Sequence, residues 1–399
     1  MWRRREALIG KGHAMAARGD HPTAEVLATD VLDLRLARQL IEPPGGLGTP
    51  VANDPADVVR RLCAMQAQDY PGSLWSVGLR CGSTCVAADV QRALAERRIV
   101  RTWPMRGTLH FVAPEDVRWM LALLTPRVLA RAKTRHEQLG VTAKVVERTR
   151  AMIVDALTGG NALTRGELMT LLGSNGIDTA DQAGYHILWT LSQQAVLCFG
   201  APRGKKQTFV LLDEWIPPAK NEAPLERAVA LVKLATRYFE ARGPATVADF
   251  AWWAGITKTE AREGVDGSGA RLRLIAEESE YWVPAGIAAP QPPARSTPSG
   301  RVHLLPGFDE YFLGYTDRTV QLGEHRDTYG AALSANGVFS PTLIVDGSVA
   351  GTWKRTLGRD RVDIRVATFR SLSRGEQKEL ARVAEGYGRF LGLSANLEL

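Results

Sequence analysis

The sequence lacks any long hydrophobic run, and this absence limits where the protein can reside. No stretch of about 18 apolar residues, the length of a membrane-spanning helix, occurs among the 399 residues. The basic cluster Arg3-Arg4-Arg5 is not followed by the apolar segment that a secretory signal requires. We therefore expect a cytoplasmic protein with no membrane partner.

Cysteine is also scarce. Four cysteines in a chain of this length do not form a disulfide framework, and Cys63 and Cys198 are expected to be buried apolar residues. Cys81 and Cys85 are close enough in sequence to be half of a zinc site, but no second Cys/His pair at zinc spacing follows them. We therefore expect no metal ion and no other cofactor.

Positive charge, by contrast, is in excess. The 50 Lys and Arg residues against 43 Asp and Glu residues give a net charge of +7 at pH 7. This balance favours a polyanionic partner such as duplex DNA, although many basic proteins bind no nucleic acid. The hydrophobic fraction of 45% is that of an ordinary globular chain with several domains.

Segments of helical periodicity followed by a hairpin pattern occur three times. In the first unit, helical segments that include 58–65 and 87–97 precede alternating residues at 99–103 and 108–112. The same order of elements recurs in 147–212 and in 225–284. Helices followed by a short hairpin are typical of winged helices, which bind DNA with a helix in the major groove and a wing on the phosphates.

A stretch rich in proline and serine separates these units from a strand-rich C-terminal region. The strand candidates there are 302–305, 311–315, 342–345, 349–354 and 362–369, and a helix at 374–390 follows. The predicted fold class is α+β. The predicted domains are a disordered leader at 1–28, winged helices at 29–140, 141–222 and 223–288, a linker at 289–300 and a β-rich domain at 301–399.

Two glutamines provide the most informative short motif, Met65-Gln66-Ala67-Gln68-Asp69. The helix that begins near Asp54 must end before Pro71, so this motif lies where a helix gives way to extended chain. In extended chain Gln66 and Gln68 point to the same side. Two amides can hold and orient a water molecule but cannot remove its proton outright. Alternatively, glutamines at a helix end simply cap it.

Several motifs together resemble the winged-helix DNA glycosylases of the AlkZ type. The motifs are the glutamine motif, 101–110 (RTWPMRGTLH), 249–253 (DFAWW), 305–311 (LPGFDEY) and 351–354 (GTWK), and the resemblance covers nearly everything after residue 30. It implies three tandem winged helices and a C-terminal β-barrel-like domain around a concave basic DNA channel. It also implies that Gln66 and Gln68 are the catalytic pair that positions water at the anomeric carbon of the damaged nucleotide.

The family is associated with bacterial self-resistance to DNA-alkylating natural products such as azinomycin, and with unhooking of interstrand crosslinks. Neutral amides suit a cationic N7-alkylguanine or N3-alkyladenine, because such a base leaves without a strong acid. Asp69, or Asp309 and Glu310 in the C-terminal region, could supply a supporting carboxylate, although Asp309 could instead be structural. No lysine adjoins the glutamines, so we expect a monofunctional enzyme without a Schiff-base step. A protein that recognises damage rather than palindromes needs no dimer, so we expect a monomer.

The expected DNA contacts are cationic and aromatic residues at hairpins and in the C-terminal domain. Arg106 is predicted to lie exposed at the turn beside Gly107, whereas Trp103 in the same hairpin is predicted to be core. The complete set is Arg106, Arg203, Lys205, Lys206, Tyr311, Arg318, Lys354 and Arg355.

Two other functions remain open at this point. A non-enzymatic winged-helix transcriptional regulator would also be basic, although three fused modules without coiled-coil heptads are unusual for dimeric regulators that bind palindromes. A protein-interaction scaffold fits only if the hairpin tips are not electropositive.

Overall fold

The computed structural model describes residues 28–42, 52–219, 223–276, 280–286, 300–325, 327 and 339–399. The predicted leader and linker lie almost entirely outside these residues. Within them the protein is α+β, as predicted, and its helices and strands follow the predicted order through most of the chain.

The described helices are α1 (Ala28–Arg38), α2 (Pro55–Leu62), α3 (Tyr70–Gly78), α4 (Ala87–Ala95), α5 (Pro114–Arg131), α6 (Lys133–Gln138), α7 (Ala143–Leu157), α8 (Arg165–Ser174), α9 (Ala183–Gln193), α10 (Leu212–Trp215), α11 (Arg227–Arg242), α12 (Val247–Ala254), α13 (Lys258–Ser268), α14 (Glu310–Leu313), α15 (Thr319–Leu322) and α16 (Arg374–Leu391). The strands are β1 (Ala64–Gln66), β2 (Val100–Met105), β3 (Thr108–Val112), β4 (Leu163–Thr164), β5 (Leu197–Phe199), β6 (Thr208–Leu211), β7 (Leu272–Ala276), β8 (Tyr281–Pro284), β9 (Val302–Leu305), β10 (Thr342–Val345), β11 (Ser348–Leu357), β12 (Arg361–Thr368) and β13 (Ser394–Glu398).

Several helices begin at the residues that the sequence marks as caps. The Asp54 carboxylate accepts the Ala56 amide at the start of α2, and Pro55 occupies the first turn, where its missing N–H costs nothing. Thr246 and Thr257 cap α12 and α13, each within a capping box. Local side-chain chemistry therefore sets these helix starts.

The hairpins of the first two predicted modules form one continuous sheet. Its strand order is β1-β3-β2-β5-β6-β4, and Arg101 of β2 pairs with Phe199 of β5. β7 and β8 of the third unit form a separate two-stranded sheet. The first two hairpins are thus joined edge to edge rather than standing apart as independent wings, and the division into three winged helices stays a prediction.

The C-terminal region contains an open sheet of order β13-β12-β11-β10-β9, a curled half-barrel rather than a closed barrel. One strand prediction there is wrong, since 311–315 overlaps the short helix α14. The Asp309 carboxylate accepts the Tyr311 amide and so caps that helix. The sequence also did not predict β13, which lies parallel to β12 after α16.

Three groups of buried apolar residues fill the interior. The largest runs from the first helices through the second unit to β9–β12 and α16. A second joins the opposite face of the six-stranded sheet to α5 and to α11–α13. A third joins α1 to the C-terminal sheet. None of the helices in the described ranges is long and apolar enough to cross a membrane.

Candidate functional site

The two glutamines lie where β1 ends and the chain bends into α3. Gln66 is paired with His110 of β3 and is only 8% exposed, whereas Gln68 is exposed. The Gln68 Oε1 accepts the Leu109 amide at 3.3 Å, and the Gln66 Oε1 accepts the Ala67 amide at 3.1 Å. Both carbonyl oxygens thus accept backbone amides, which fixes the rotamers and leaves each amide nitrogen available to a ligand or water.

Glu310 anchors Gln66 from the C-terminal region. Its Oε1 accepts the Gln66 backbone N–H at 2.8 Å, and its Oε2 accepts the Trp253 indole N–H at 3.0 Å and the Arg242 Nε at 3.2 Å. Arg242 also donates to the carbonyl oxygens of Leu62 and Ala64, at 2.8 Å each. All of these groups are buried, so this network fixes β1 against both the third unit and α14.

Arg101 holds the motif from the other side. Its Nη2 donates to the Ala67 carbonyl at 2.9 Å, its Nη1 donates to the Gln207 side chain at 3.2 Å, and its guanidinium lies between the rings of Tyr70 and Phe199. Burial lowers the pKa of Arg101 to about 10, so the guanidinium stays charged at neutral pH. A fixed cation therefore lies directly behind the segment between the two glutamines.

Asp69 is the accessible carboxylate nearest in sequence to the glutamines. Its side chain is 40% exposed, and its Oδ2 lies 3.7 Å from the Nη2 of Arg355 on β11. It occupies the cap position of α3, but its carboxylate accepts no hydrogen bond from that helix. The structure thus places Asp69 and Arg355, two of the predicted site residues, next to each other.

Asp309 is a structural carboxylate rather than a supporting catalytic one. It is fully buried, forms a two-pronged ion pair with Arg80 at 2.7 and 2.8 Å, and accepts the Ser76 hydroxyl at 2.7 Å. Burial opposes its ionisation, but the Arg80 charge and these hydrogen bonds outweigh burial and lower the pKa of Asp309. With its oxygens already bonded, Asp309 has no lone pair directed at a substrate.

The prediction that Arg106 is exposed is wrong. It lies at the predicted turn, with a φ of 54°, but its guanidinium points inward, donates to the Trp253 carbonyl and lies 3.3 Å from the His110 Nε2. Burial lowers the pKa of Arg106 to about 10. Burial and the neighbouring Arg106 charge lower the pKa of His110 well below its usual value, so His110 is neutral and its Nδ1–H donates to the Thr108 carbonyl.

Tyr311 is not available to DNA either. Its side chain is fully buried and its hydroxyl donates to the Gly347 carbonyl at 2.8 Å. Arg318 is half-buried, and its guanidinium lies over the rings of Trp252 and Phe339, each 4.9 Å from the ring centroid. Of the predicted C-terminal contacts, Lys354 is exposed and Arg355 is half-buried.

The basic hairpin tip of the second unit is exposed as predicted. Arg203 pairs with Lys206 across a tight turn, and its Nη1 lies 2.7 Å from the Glu167 carboxylate. Lys205 and Lys206 are exposed, and Gln207, which follows them, is the partner of Arg101. The tip is therefore connected to the glutamine motif through two hydrogen-bonded side chains.

No group of three or more possible metal ligands occurs among the described residues. Cys63, Cys81, Cys85 and Cys198 are all free thiols, and Cys63 and Cys198 are buried as predicted. The residues around the glutamines therefore present amides, one carboxylate and arginines, a set that suits orientation of water and of an anionic backbone.

Arg242 was not predicted as part of the site, and Glu310 was expected only as a possible supporting carboxylate, not as the anchor of Gln66. One signal was present in the sequence: Asp309 followed by Glu310 is typical of a helix start, which argues against the strand prediction for this segment. Nothing local, however, indicates that Gln66 is the partner of Glu310, because the two residues lie 244 positions apart.

Comparison with known proteins identifies close similarity along most of the chain. A family model described as "DNA glycosylase AlkZ-like" matches residues 59–390. The chain is 31% identical over 381 residues to an "Interstrand DNA cross-link repair glycosylase" of Streptomyces sahachiroi, a match that spans 89% of this chain and 95% of the relative. The solved structure of "Streptomyces sahachiroi DNA glycosylase AlkZ" superposes with a TM-score of 0.72 at 26% identity, covering 92% of this chain and 98% of the other.

Proposed function

Because the chain belongs to the AlkZ-like DNA glycosylase family, we propose that it hydrolyses the N-glycosidic bond of cationic alkylated purines in duplex DNA. The observation that carries this proposal is the fixed pair Gln66 and Gln68. Backbone amides bind the carbonyl oxygens of both side chains. Glu310 binds the Gln66 backbone N–H, and Arg101 binds the Ala67 carbonyl between the two glutamines. Two fixed amides at an accessible bend are suited to placing one water molecule.

The residue types determine which bases can leave. An N7-alkylguanine or N3-alkyladenine carries a positive charge and departs as a neutral base, so no strong acid is needed. The sugar becomes oxocarbenium-like, and the amides of Gln66 and Gln68 orient water toward its anomeric carbon. Asp69, partly exposed beside the motif, is placed to stabilise the cationic sugar and to accept the proton of the water, and Arg355 orients its carboxylate.

DNA is proposed to lie along a concave basic surface that passes the glutamines. The cationic residues assigned to its phosphates are Arg203, Lys205, Lys206, Arg318, Lys354 and Arg355. Arg106 and Tyr311 are not assigned to DNA, since the Arg106 guanidinium donates to the Trp253 carbonyl and the Tyr311 side chain is buried. One chain suffices for this geometry, so a monomer is proposed.

The proposed reaction is monofunctional, because no lysine adjoins the glutamines in sequence to attack the sugar. The curated relative is named for interstrand crosslink repair. Crosslinks formed through alkylated purines present the same cationic leaving group. The proposal therefore includes unhooking of such crosslinks by this enzyme. It also includes self-resistance to a DNA-alkylating natural product, which would follow from that unhooking.

The test is base release from duplex that contains N7-methylguanine. The wild-type protein should release the base and leave an abasic site, and the Gln66→Ala, Gln68→Ala double variant should be at least about 100-fold slower, the loss typical of removing a fixed catalytic group. Gln138→Ala, on α6, is the matched control and should retain activity.

Equal release by the double variant would overturn the catalytic assignment. No release by the wild-type protein, together with tight binding to one undamaged sequence, would instead favour the transcriptional regulator.

A further inference from the structure

Asp69 precedes α3 but does not act as a cap of that helix. A cap aspartate normally accepts the N–H of the second or third helical residue, as Asp54 does at the start of α2, where its carboxylate accepts the Ala56 amide at 2.8 Å. In α3 the second residue is Pro71, which has no N–H. The proline therefore removes one of the two donors that would otherwise fix the Asp69 carboxylate against the helix.

The third residue of α3, Gly72, leaves room for the carboxylate. A Cβ added to Gly72 would overlap the Asp69 Oδ2 and would lie 3.1 Å from the Asp69 Cγ. The same Cβ would lie 3.4 Å from the Cβ of Pro306, so the C-terminal region bounds this space as well. The Asp69 carboxylate thus occupies space that a side chain of any other residue type at position 72 would fill.

Arg355 holds the carboxylate from β11. The Arg355 Nη2 lies 3.7 Å from the Asp69 Oδ2, and the Tyr387 side chain is hydrogen-bonded to Arg355. Tyr387 is buried, and its ring packs against those of Trp75 and Trp353, with centroids 4.9 and 5.3 Å away. The carboxylate is therefore confined between α3 and a guanidinium that the core holds in place, while 40% of the Asp69 side chain stays exposed.

We propose that Pro71 and Gly72 are positioning residues that keep the Asp69 carboxylate from capping α3 and direct it at the cationic sugar of the nucleotide bound at Gln68. The proposal rests on the role proposed for Asp69 in the hydrolysis. Because Gln68 and Asp69 are consecutive, a sugar whose attacking water is oriented by Gln68 lies within reach of this carboxylate. A carboxylate that is already in place needs no rearrangement as positive charge develops on the sugar.

The Gly72→Ala variant separates this role from stability. Its methyl group would displace the Asp69 carboxylate, which is the end of a flexible side chain and can turn away while α3 stays folded. Alanine is also a better helix former than glycine. The variant should therefore keep or raise the midpoint of thermal unfolding while it loses affinity for a cationic sugar, a combination that a merely structural glycine would not show.

Equilibrium binding measures the placement of the carboxylate without base release. The probes are two duplexes in which an abasic ring replaces the damaged nucleoside. One ring is a pyrrolidine whose protonated nitrogen replaces the anomeric carbon, and the other is an uncharged tetrahydrofuran. Wild-type protein should bind the pyrrolidine duplex about tenfold more tightly, as expected for one hydrogen bond between charged groups. Fluorescence anisotropy at one fixed salt concentration gives both affinities.

Three variants and a matched control locate the origin of this preference. Asp69→Asn should abolish the preference, and Gly72→Ala should abolish most of it. Pro71→Ala supplies an N–H at the second position of α3, so the carboxylate should turn to cap the helix and the preference should fall as well. Gly166→Ala makes the same change as Gly72→Ala in the first turn of α8, where an added Cβ meets nothing within 4 Å, and should retain the full preference.

Equal affinity of wild-type protein for the two duplexes would overturn the proposal, as would an undiminished preference in Asp69→Asn or in Gly72→Ala. An undiminished preference in Pro71→Ala would remove Pro71 from it. Pro71 is exposed, so Pro71→Ala still decides the matter if Gly72→Ala does not fold.

Release of N7-methylguanine by the wild-type protein is measured in parallel and reports on the proposed function alone. A preference for the pyrrolidine duplex without release leaves the positioning of Asp69 in place and removes the glycosylase. Release without a preference does the reverse.

Discussion

Two buried carboxylates, adjacent in sequence, hold together the segments around the glutamines. Asp309 is paired with Arg80 after α3, and Glu310 is paired with Arg242 at the end of α11. Each ion pair is almost completely buried, so each charge depends on its partner and on the surrounding hydrogen bonds. The two carboxylates have the chemistry of candidate catalytic groups, but their surroundings make them structural.

The Glu310→Gln variant tests how much the ion pair between Glu310 and Arg242 contributes to the stability of the protein. The amide retains an acceptor for Gln66 but leaves Arg242 buried without a counter-ion, so the free energy of unfolding should fall by about 3 kcal/mol or more. Urea denaturation provides the measurement. The control is Glu385→Gln, an exposed glutamate that lies 4.0 Å from Arg389, for which little change is expected. Equal stability of the two variants would show that Glu310 is not an anchor.

The predicted DNA contacts show that the type of a residue does not by itself determine whether its side chain is exposed to DNA. Arg106 and Lys206 both lie at hairpin turns and both were predicted to contact phosphates. Only Lys206 is exposed, because the turn that contains Arg106 packs against α12 and offers its guanidinium the Trp253 carbonyl. Whether an arginine is exposed depends on which element packs against its turn, and that element is distant in sequence.

At the scale of elements, the merged sheet connects the basic tip at 203–206 with the glutamine motif. β2 of the first hairpin pairs with β5 of the second, and β6 begins directly after Gln207, the partner of Arg101. The tip and the glutamines are thus held by one sheet. A duplex that places a damaged nucleotide at Gln68 would bring its neighbouring phosphates toward this tip.

The Lys205→Ala, Lys206→Ala double variant tests the contact between the tip and DNA. Each phosphate contact releases about one counter-ion, so the slope of log affinity against log salt should become shallower by roughly two. Fluorescence anisotropy across a salt series measures this slope. Lys144→Ala, Lys378→Ala removes the same charge from exposed positions on α7 and α16 and should leave the slope nearly unchanged. Identical slopes for the two double variants would exclude the tip as a specific contact.

At the scale of the whole molecule, the buried cores do not follow the predicted domain boundaries. The largest core contains residues from the first unit, the second unit and the C-terminal region, and α5 of the first unit packs in the same core as α11–α13. Hydrogen bonds also cross the predicted domain boundaries. Glu310, for example, is bonded to Gln66 of the first unit and to Trp253 of the third. The hydrophobic core around each unit therefore includes residues from another unit.

These shared cores predict that the units unfold together. Far-ultraviolet circular dichroism, which follows the helices, and tryptophan fluorescence, which follows the cores, should give coincident urea transitions. A fragment that spans 223–288 should lack a cooperative transition, since its buried face would be exposed. Two well-separated transitions, or a fragment that folds alone, would contradict this expectation.

The sequence by itself determined the α+β class, the order of most helices and hairpins, the helix caps and the family. These features depend on periodicity, on capping residues and on short motifs such as Gln66-Ala67-Gln68, all of which involve neighbours within a few positions. They could therefore be predicted with no knowledge of the packing.

Only the tertiary structure decided which charged and aromatic residues face solvent and which hold the interior together. Gln66 is anchored by a residue 244 positions away, and Arg106 is bonded to a residue 147 positions away. Burying an ionisable group is costly unless a partner is present, and that partner can come from any part of the chain. The roles of Asp309, Tyr311 and Arg106 and the merging of the two hairpins all follow from such distant contacts.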